Sequence, residues 1–192
     1  MDRDRLTAFT DGVIAVIITI MVLELKAPHG ASLSALAAQW PSFLSYLLSF
    51  IYVAIYWNNH HHFFQLTPEV NGAILWANLH LLFWLSLVPF ATGWVGESGL
   101  ATVPAAVYGA VLLMCAIAFY IMERVIVRSQ GASSPLEKAV GRDLKGKLSP
   151  FLYLSGVVLA FVAPAISYGL YALVALMWLV PDRRVENAVA SR

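Results

Sequence analysis

The 192-residue sequence predicts an all-α integral membrane protein with six transmembrane helices, both termini cytoplasmic and no soluble domain. Three observations carry that expectation. The chain is 60% hydrophobic and only 12% charged, roughly half the charged fraction of a soluble domain, and its mean hydropathy is +0.74. Six stretches are apolar enough over the roughly 20 residues that a helix needs to cross a bilayer. The basic residues then sort to one side of those stretches.

The first span, 8–25, contains "FTDGVIAVIITIMVLEL", with Thr10 and Asp11 at the head of an apolar run. Arg3 and Arg5 ahead of the run, and "ALA" at 35–37, imitate a cleaved secretion signal. Glu24 and Lys26 interrupt, however, and the small-residue site lies too far beyond Leu23. Signal sites follow the apolar core closely, so the run is expected to stay. The second, third and fourth spans are expected at 41–60, 70–95 and 101–123. The fourth carries Cys115, the lone cysteine, which excludes an intrachain disulfide. The fifth and sixth, 146–163 and 165–181, are divided only by Pro164 in "FVAPAIS".

Without that break 146–181 would be one kinked helix, leaving five spans. Charge decides between the two. With six spans and the N-terminus inside, Arg3, Arg5, Arg124, Arg128, Lys138, Arg142, Lys145, Lys147, Arg183, Arg184 and Arg192 are all cytoplasmic. That is eleven of the twelve basic residues, with Lys26 alone outside, a strong positive-inside pattern. Five spans would export Arg183 and Arg184. The cytoplasmic connector 124–147, with "RSQGASSPLEKAVGRDLKGK", is polar and mixed in sign. Its "GRDLKGK" fits neither Walker nor Rossmann spacing, so it is expected to lie at the lipid headgroups. The whole of 1–192 thus reads as one transmembrane domain.

At about 100° per residue, Val16, Ile20 and Leu23 form one stripe of the first helix, with Thr19 beside it and Asp11 nearly opposite. An aspartate in a span costs several kcal/mol unless paired, and is a functional candidate by default. The plainer alternative is that it stays wet or caps backbone N–H groups. Partners at matching depth are Arg5, then Trp57, Asn59, His60 and His61 in "YWNNHHHFF", then Asn78 and His80. Ser42, Ser45, Ser49, Tyr52, Tyr56 and Asn59 form a hydroxyl-rich face on the second span. Hydrogen bonding between packed helices accounts for that face better than an ion path does. Ala105, Ala106, Gly109 and Ala110 on the fourth span permit close helix approach.

His60 to His62 invite a metal reading. Consecutive helical residues point about 100° apart, and no second cluster of Cys, Asp or Glu supplies further ligands. No metal and no cofactor is expected. G-x-S-x-G and H-E-x-x-H are absent from the sequence, so an enzyme is not expected. A net charge of +1 gives no reason to expect nucleic acid.

The segment "RLTAFTDGVIAVIITIMVLEL" resembles the R-x-x-x-F-S-D-G signature that opens the first helix of the endolysosomal potassium channel family, transmembrane protein 175. "SFIYVAIYWNNHHHFF" followed by "LWANLHLLFWLSLVPF" is similar to that family's second and third helices. The match runs over roughly residues 5 to 92, and the remaining spans agree in number and spacing. The resemblance implies a single-repeat chain of the bacterial kind, in a bacterial plasma membrane, with four copies around one pore. It implies potassium as the favoured ion, a pore lined by the first helix, and a constriction of aliphatic side chains at Val16, Ile20 and Leu23 with Thr19 adjacent. Arg5, Phe9, Thr10, Asp11, Trp57, Asn59, His60, His61 and Asn78 would form the polar network that braces this helix. Thr10 replaces the usual serine, and Val16 stands where isoleucine is common.

The function expected is therefore a potassium-permeable leak-type cation channel with a hydrophobic gate, working as a homotetramer in the lipid bilayer. The alternative is a proton- or cation-coupled transporter using Asp11 and the His60–His62 cluster. A non-conducting membrane scaffold ranks third.

Overall fold

The computed structural model describes residues 2–99, 101–131 and 144–179, and every regular element among them is an α-helix. In chain order these are α1 (Arg3–Leu23), α2 (Leu33–Ala37), α3 (Trp40–Gln65), α4 (Gly72–Ser86), α5 (Val88–Ser98), α6 (Thr102–Ser129), α7 (Leu144–Leu159) and α8 (Pro164–Leu179). Four rods are long and apolar enough to cross a membrane: α1, α3, α4 with α5, and α6. The chain is an integral membrane protein.

Local chemistry explains the boundaries. Asp2 caps α1 by accepting from the Asp4 N–H at 3.2 Å, and Asn71 caps α4 by accepting from the Ile74 N–H at 3.0 Å, each satisfying a donor the helix cannot. Pro41 sits in the first turn of α3 and Pro164 begins α8, positions where a missing N–H costs nothing. A turn over 160–162 separates α7 from α8.

Three features differ from expectation. The third span is two helices, because Pro89 lacks the N–H that Leu85 C=O would accept. The ladder tightens there, with Leu87 N–H donating to Trp84 C=O at 3.2 Å. The fourth helix continues to Ser129, so 124–129, expected in the connector, is helical. A short helix, α2, lies within the stretch expected to be an outer loop. The centre of the connector, 132–143, lies outside the described residues, as do 180–181 and the basic residues Lys138, Arg142, Arg183, Arg184 and Arg192. Helices α7 and α8 have 16 residues each, about 24 Å of helix against a hydrocarbon layer of about 30 Å.

Helix α6 packs against α4, α5, α7 and α8, while α1 packs against α3, α4 and α5. The small residues on α6 serve that packing. Tyr171 of α8 is wedged between Gly109 and Gly156, where an added Cβ would lie 1.9 Å and 2.4 Å from its atoms. Its hydroxyl donates to Ala105 C=O at 3.2 Å, so the ring pins α8 to both α6 and α7.

Candidate ion pathway and the polar network behind it

Helix α1 has two faces. Leu6, Thr10, Ile14, Ile17 and Met21, spaced four, four, three and four apart, are buried within the chain. Val16, Ile20 and Leu23 look away from it, 55%, 42% and 78% exposed. Thr19 is exposed beside them. Its hydroxyl donates to Val16 C=O at 2.8 Å, which uses the proton and leaves the oxygen lone pairs outward. Ala8, Gly12 and Ala15 are exposed too, so the same side of the helix is narrow at its start.

The expected polar residues divide into separate groups. In the first, Asn78 of α4 is fully buried and central. Its amide nitrogen donates to Thr10 Oγ1 at 2.9 Å, and its carbonyl oxygen meets His60 Nε2 at 2.9 Å. That oxygen can only accept, so His60 carries its proton on Nε2. The His60 ring stacks on Phe64 with centroids 4.3 Å apart. This chain links α1, α3 and α4 through groups hidden from solvent, where each unmade bond would cost 1–3 kcal/mol by the usual scale, roughly.

The second group lies nearer the surface. Trp57 Nε1 donates to Asp11 Oδ1 at 2.9 Å, with Asp11 half-buried. His61 stacks on Trp57 at 6.1 Å, and its Nε2 lies 2.8 Å from Gln65 Nε2. The remaining residues stand apart from both groups. Asn59 donates to Ile55 C=O of its own helix at 2.8 Å. Arg5 and Phe9 are exposed, and His80 accepts from Trp84 Nε1 on its own helix at 3.0 Å. His60 to His62 splay apart, and no cluster of three metal-binding side chains occurs among the described residues.

The hydroxyl face of α3 is occupied by helix contacts. Ser49 lies 2.9 Å from the Tyr108 hydroxyl and accepts from Thr92 at 2.6 Å. Tyr52 donates to Tyr171 C=O at 2.5 Å, and Ser42 to Gly96 C=O at 3.2 Å.

One part of the site escaped the sequence reading. Just past Leu23, the Glu24 carboxylate rests on Gly93 of α5, where a Cβ would lie 2.9 Å from its oxygen. Lys26 pairs with Glu97 of α5, which raises the lysine above its usual range. Together they tie the C-terminal end of α1 to α5. The sequence shows Glu24 and Lys26 only as interruptions of an apolar run, and nothing in their spacing points to Gly93, some seventy residues away.

Comparison with known proteins gives this geometry its context. The family model for the endosomal/lysosomal potassium channel TMEM175 matches residues 5–89. A potassium channel of Chryseobacterium sp. (strain P1-3) is 54% identical over 98% of this chain and 98% of its own. One of Streptomyces collinus is 32% identical over 92% of this chain and 91% of its own. The crystal structure of a lysosomal potassium-selective channel TMEM175 homolog from Chamaesiphon minutus superposes with a TM-score of 0.83 at 30% identity, covering 94% of this chain and 97% of that one. With its apolar helices, the chain is a multi-pass membrane protein. It belongs to the TMEM175 family, a family of ion channels and not of enzymes.

Proposed function

We propose that this chain forms a potassium-permeable leak-type cation channel in a bacterial plasma membrane. Four copies would surround one axis with α1 innermost, and Val16, Ile20 and Leu23 of each would stack as aliphatic rings. The observation that carries this reading is the unpartnered stripe. Three large aliphatic residues on α1 face out of the subunit while Ile17 and Met21, between them in sequence, are 3% and 0% exposed. Relatives named potassium channels that match nearly end to end support the choice of ion. The six-span topology with both termini inside goes with this reading, since it keeps Arg3, Arg5, Arg124, Arg128, Lys145 and Lys147 on one face.

The mechanism follows from solvation. A ring of aliphatic side chains offers an ion no ligands, so passage requires the ion to keep its water or shed part of it in a narrow apolar neck. Potassium yields its hydration shell more readily than sodium, so the neck favours it modestly. The outward lone pairs of Thr19 would give a partly dehydrated cation an oxygen between two apolar rings. Such a neck also dewets, so a slight rotation of α1 would close it. Rotation is what the Thr10–Asn78–His60 chain restrains, which gives the polar network a supporting role without a place in the path. The transporter alternative needs Asp11 and His60 as mobile carriers. Their hydrogen bonds to Trp57 and Asn78 fit fixed braces better.

Purified protein in liposomes with opposed potassium and sodium gradients tests the proposal. Passive potassium flux that grows with the gradient and exceeds sodium flux is expected. Flux saturating at low turnover and coupled to protons would favour the transporter, and no flux would favour a scaffold.

A further inference from the structure

Past the end of the aliphatic stripe, Glu24, Ser42 and Ser45 of α3 and Thr92 of α5 line a small space of about 10 Å³. Met21, Leu25 and Tyr46 line it as well, and Gly93 and Gly96 of α5 keep it open. A Cβ on Gly96 would lie 3.0 Å from Ser45 Oγ and 3.1 Å from Ser42 Oγ, and one on Gly93 would lie 2.9 Å from Glu24 Oε2. Residues three apart are neighbours on one helix face, so the three oxygens gather along one turn of α5. We infer that this notch is a binding site for one monovalent cation, sodium in preference to potassium.

The polar lining is built of acceptors. A serine or threonine hydroxyl has one proton and two lone pairs, and here the protons are spent on other groups. Ser42 donates to Gly96 C=O at 3.2 Å, Ser45 to Ser42 C=O at 3.0 Å, and Thr92 to Ser49 Oγ at 2.6 Å. The Glu24 carboxylate can only accept. Such a set calls for a cation, or for a water that donates to it. Charge decides between them. Lys26 is bonded to Glu97, and Glu24 stands outside that pair, acting on the lysine through space. Two carboxylates against one ammonium leave a net charge of −1, which one monovalent ion balances and a divalent ion overshoots.

Size and ligand strength narrow the choice. The space is close to the least that holds one water, roughly 10–15 Å³, so an ion enters it without a hydration shell of its own. A charged carboxylate oxygen makes a strong local field, and attraction grows as the ion's radius shrinks, which favours sodium. Glu24 is exposed and gives the ion its way in, while Ser45 is buried at the inner end. The ion would tie α1 to both α3 and α5 beside the proposed path and outside it. Its preference is the reverse of the one expected of the aliphatic neck.

Two variants remove one ligand each. Glu24→Gln removes the charge and keeps the shape, whereas Ser45→Ala removes a hydroxyl and keeps the charge. Thermal unfolding of the purified full chain is followed against sodium chloride and potassium chloride, with N-methyl-D-glucamine chloride holding ionic strength equal. The site predicts a melting temperature that climbs with sodium concentration and climbs less with potassium. The sodium concentration needed for a given rise should increase by about tenfold or more in both variants. An equal rise with sodium and potassium overturns the inference. So does the absence of any cation-specific rise, which would leave the space to a water. Persistence of the sodium effect in either variant overturns it too. These readouts do not involve ion flux, so they stand apart from the channel proposal.

Discussion

Ile17 and Ile20 lie three residues apart on α1 and have the same side chain, yet Ile17 is 3% exposed and Ile20 42%. The same contrast runs the length of the helix. Leu6, Ile14 and Met21 are buried where α1 packs against α3, α4 and α5, while Val16 and Leu23 are largely exposed. Hydropathy cannot distinguish the two faces, because both are aliphatic and lipid is as apolar as a helix interface. What distinguishes them is polar. Thr10 lies seven residues before Ile17, two turns away on the same face, and its hydroxyl is the acceptor for Asn78. In an interior without water, that bond has one satisfactory rotation of α1, and the aliphatic residues follow. The buried threonine therefore helps to fix which isoleucines face inward and which are left exposed.

The contrast is best broken at Asn78. Asn78→Leu strands both Thr10 and His60 in the core, a loss of about 2–6 kcal/mol at 1–3 kcal/mol for each orphaned group. Thermal unfolding should show a large drop, and cysteines placed on the outward stripe should label less selectively than their neighbours as the rotation loosens. Ile17→Ala comes next. It leaves a cavity, but lipid lowers the transfer contribution, so about 2 kcal/mol is expected, with ion preference unchanged. Asp11→Ala should cost less, about 1 kcal/mol, since Asp11 is half-buried and makes the one hydrogen bond to Trp57. Its effect should fall on assembly, read by size-exclusion chromatography, and altered selectivity with intact assembly would place Asp11 in the path instead.

The smallest effect belongs to Lys26→Met. The pair with Glu97 is exposed, and exposed ion pairs contribute little. Because Glu97 raises the lysine, whatever the pair contributes is present below the ordinary lysine range and lost only as pH climbs past the raised value. Melting temperature of parent and variant should therefore keep the same offset across neutral pH.

Much of this was legible in the sequence, for identifiable reasons. The rods follow from apolar runs of sufficient length, and the α7–α8 break follows from Pro164, which cannot continue a ladder. The outward stripe on α1 follows from helical periodicity. Other features depend on pairings between helices far apart in the chain. Thr10 reads as a mild replacement for serine until Asn78 is seen bonded to it. The hydroxyl face of α3 gains its meaning from Tyr108 and Tyr171. Glu123 closes the fourth span as the sequence reads it, and only the packing of α6 against α7 and α8 shows that it is buried. Pro89 was visible but lay inside a strongly apolar run, whose length hid the joint between α4 and α5.

The central claim is that the outward stripe, and not the buried one, meets the permeating ion. It is tested most directly by measuring potassium and sodium flux through Ile20→Asn and Ile17→Asn in matched liposomes at equal protein incorporation. The account predicts that Ile20→Asn wets the neck, raising flux and admitting sodium more freely, while Ile17→Asn lowers the yield of folded protein and leaves the selectivity of what folds unchanged. Parental flux and selectivity in Ile20→Asn, together with altered selectivity in folded Ile17→Asn, would contradict it.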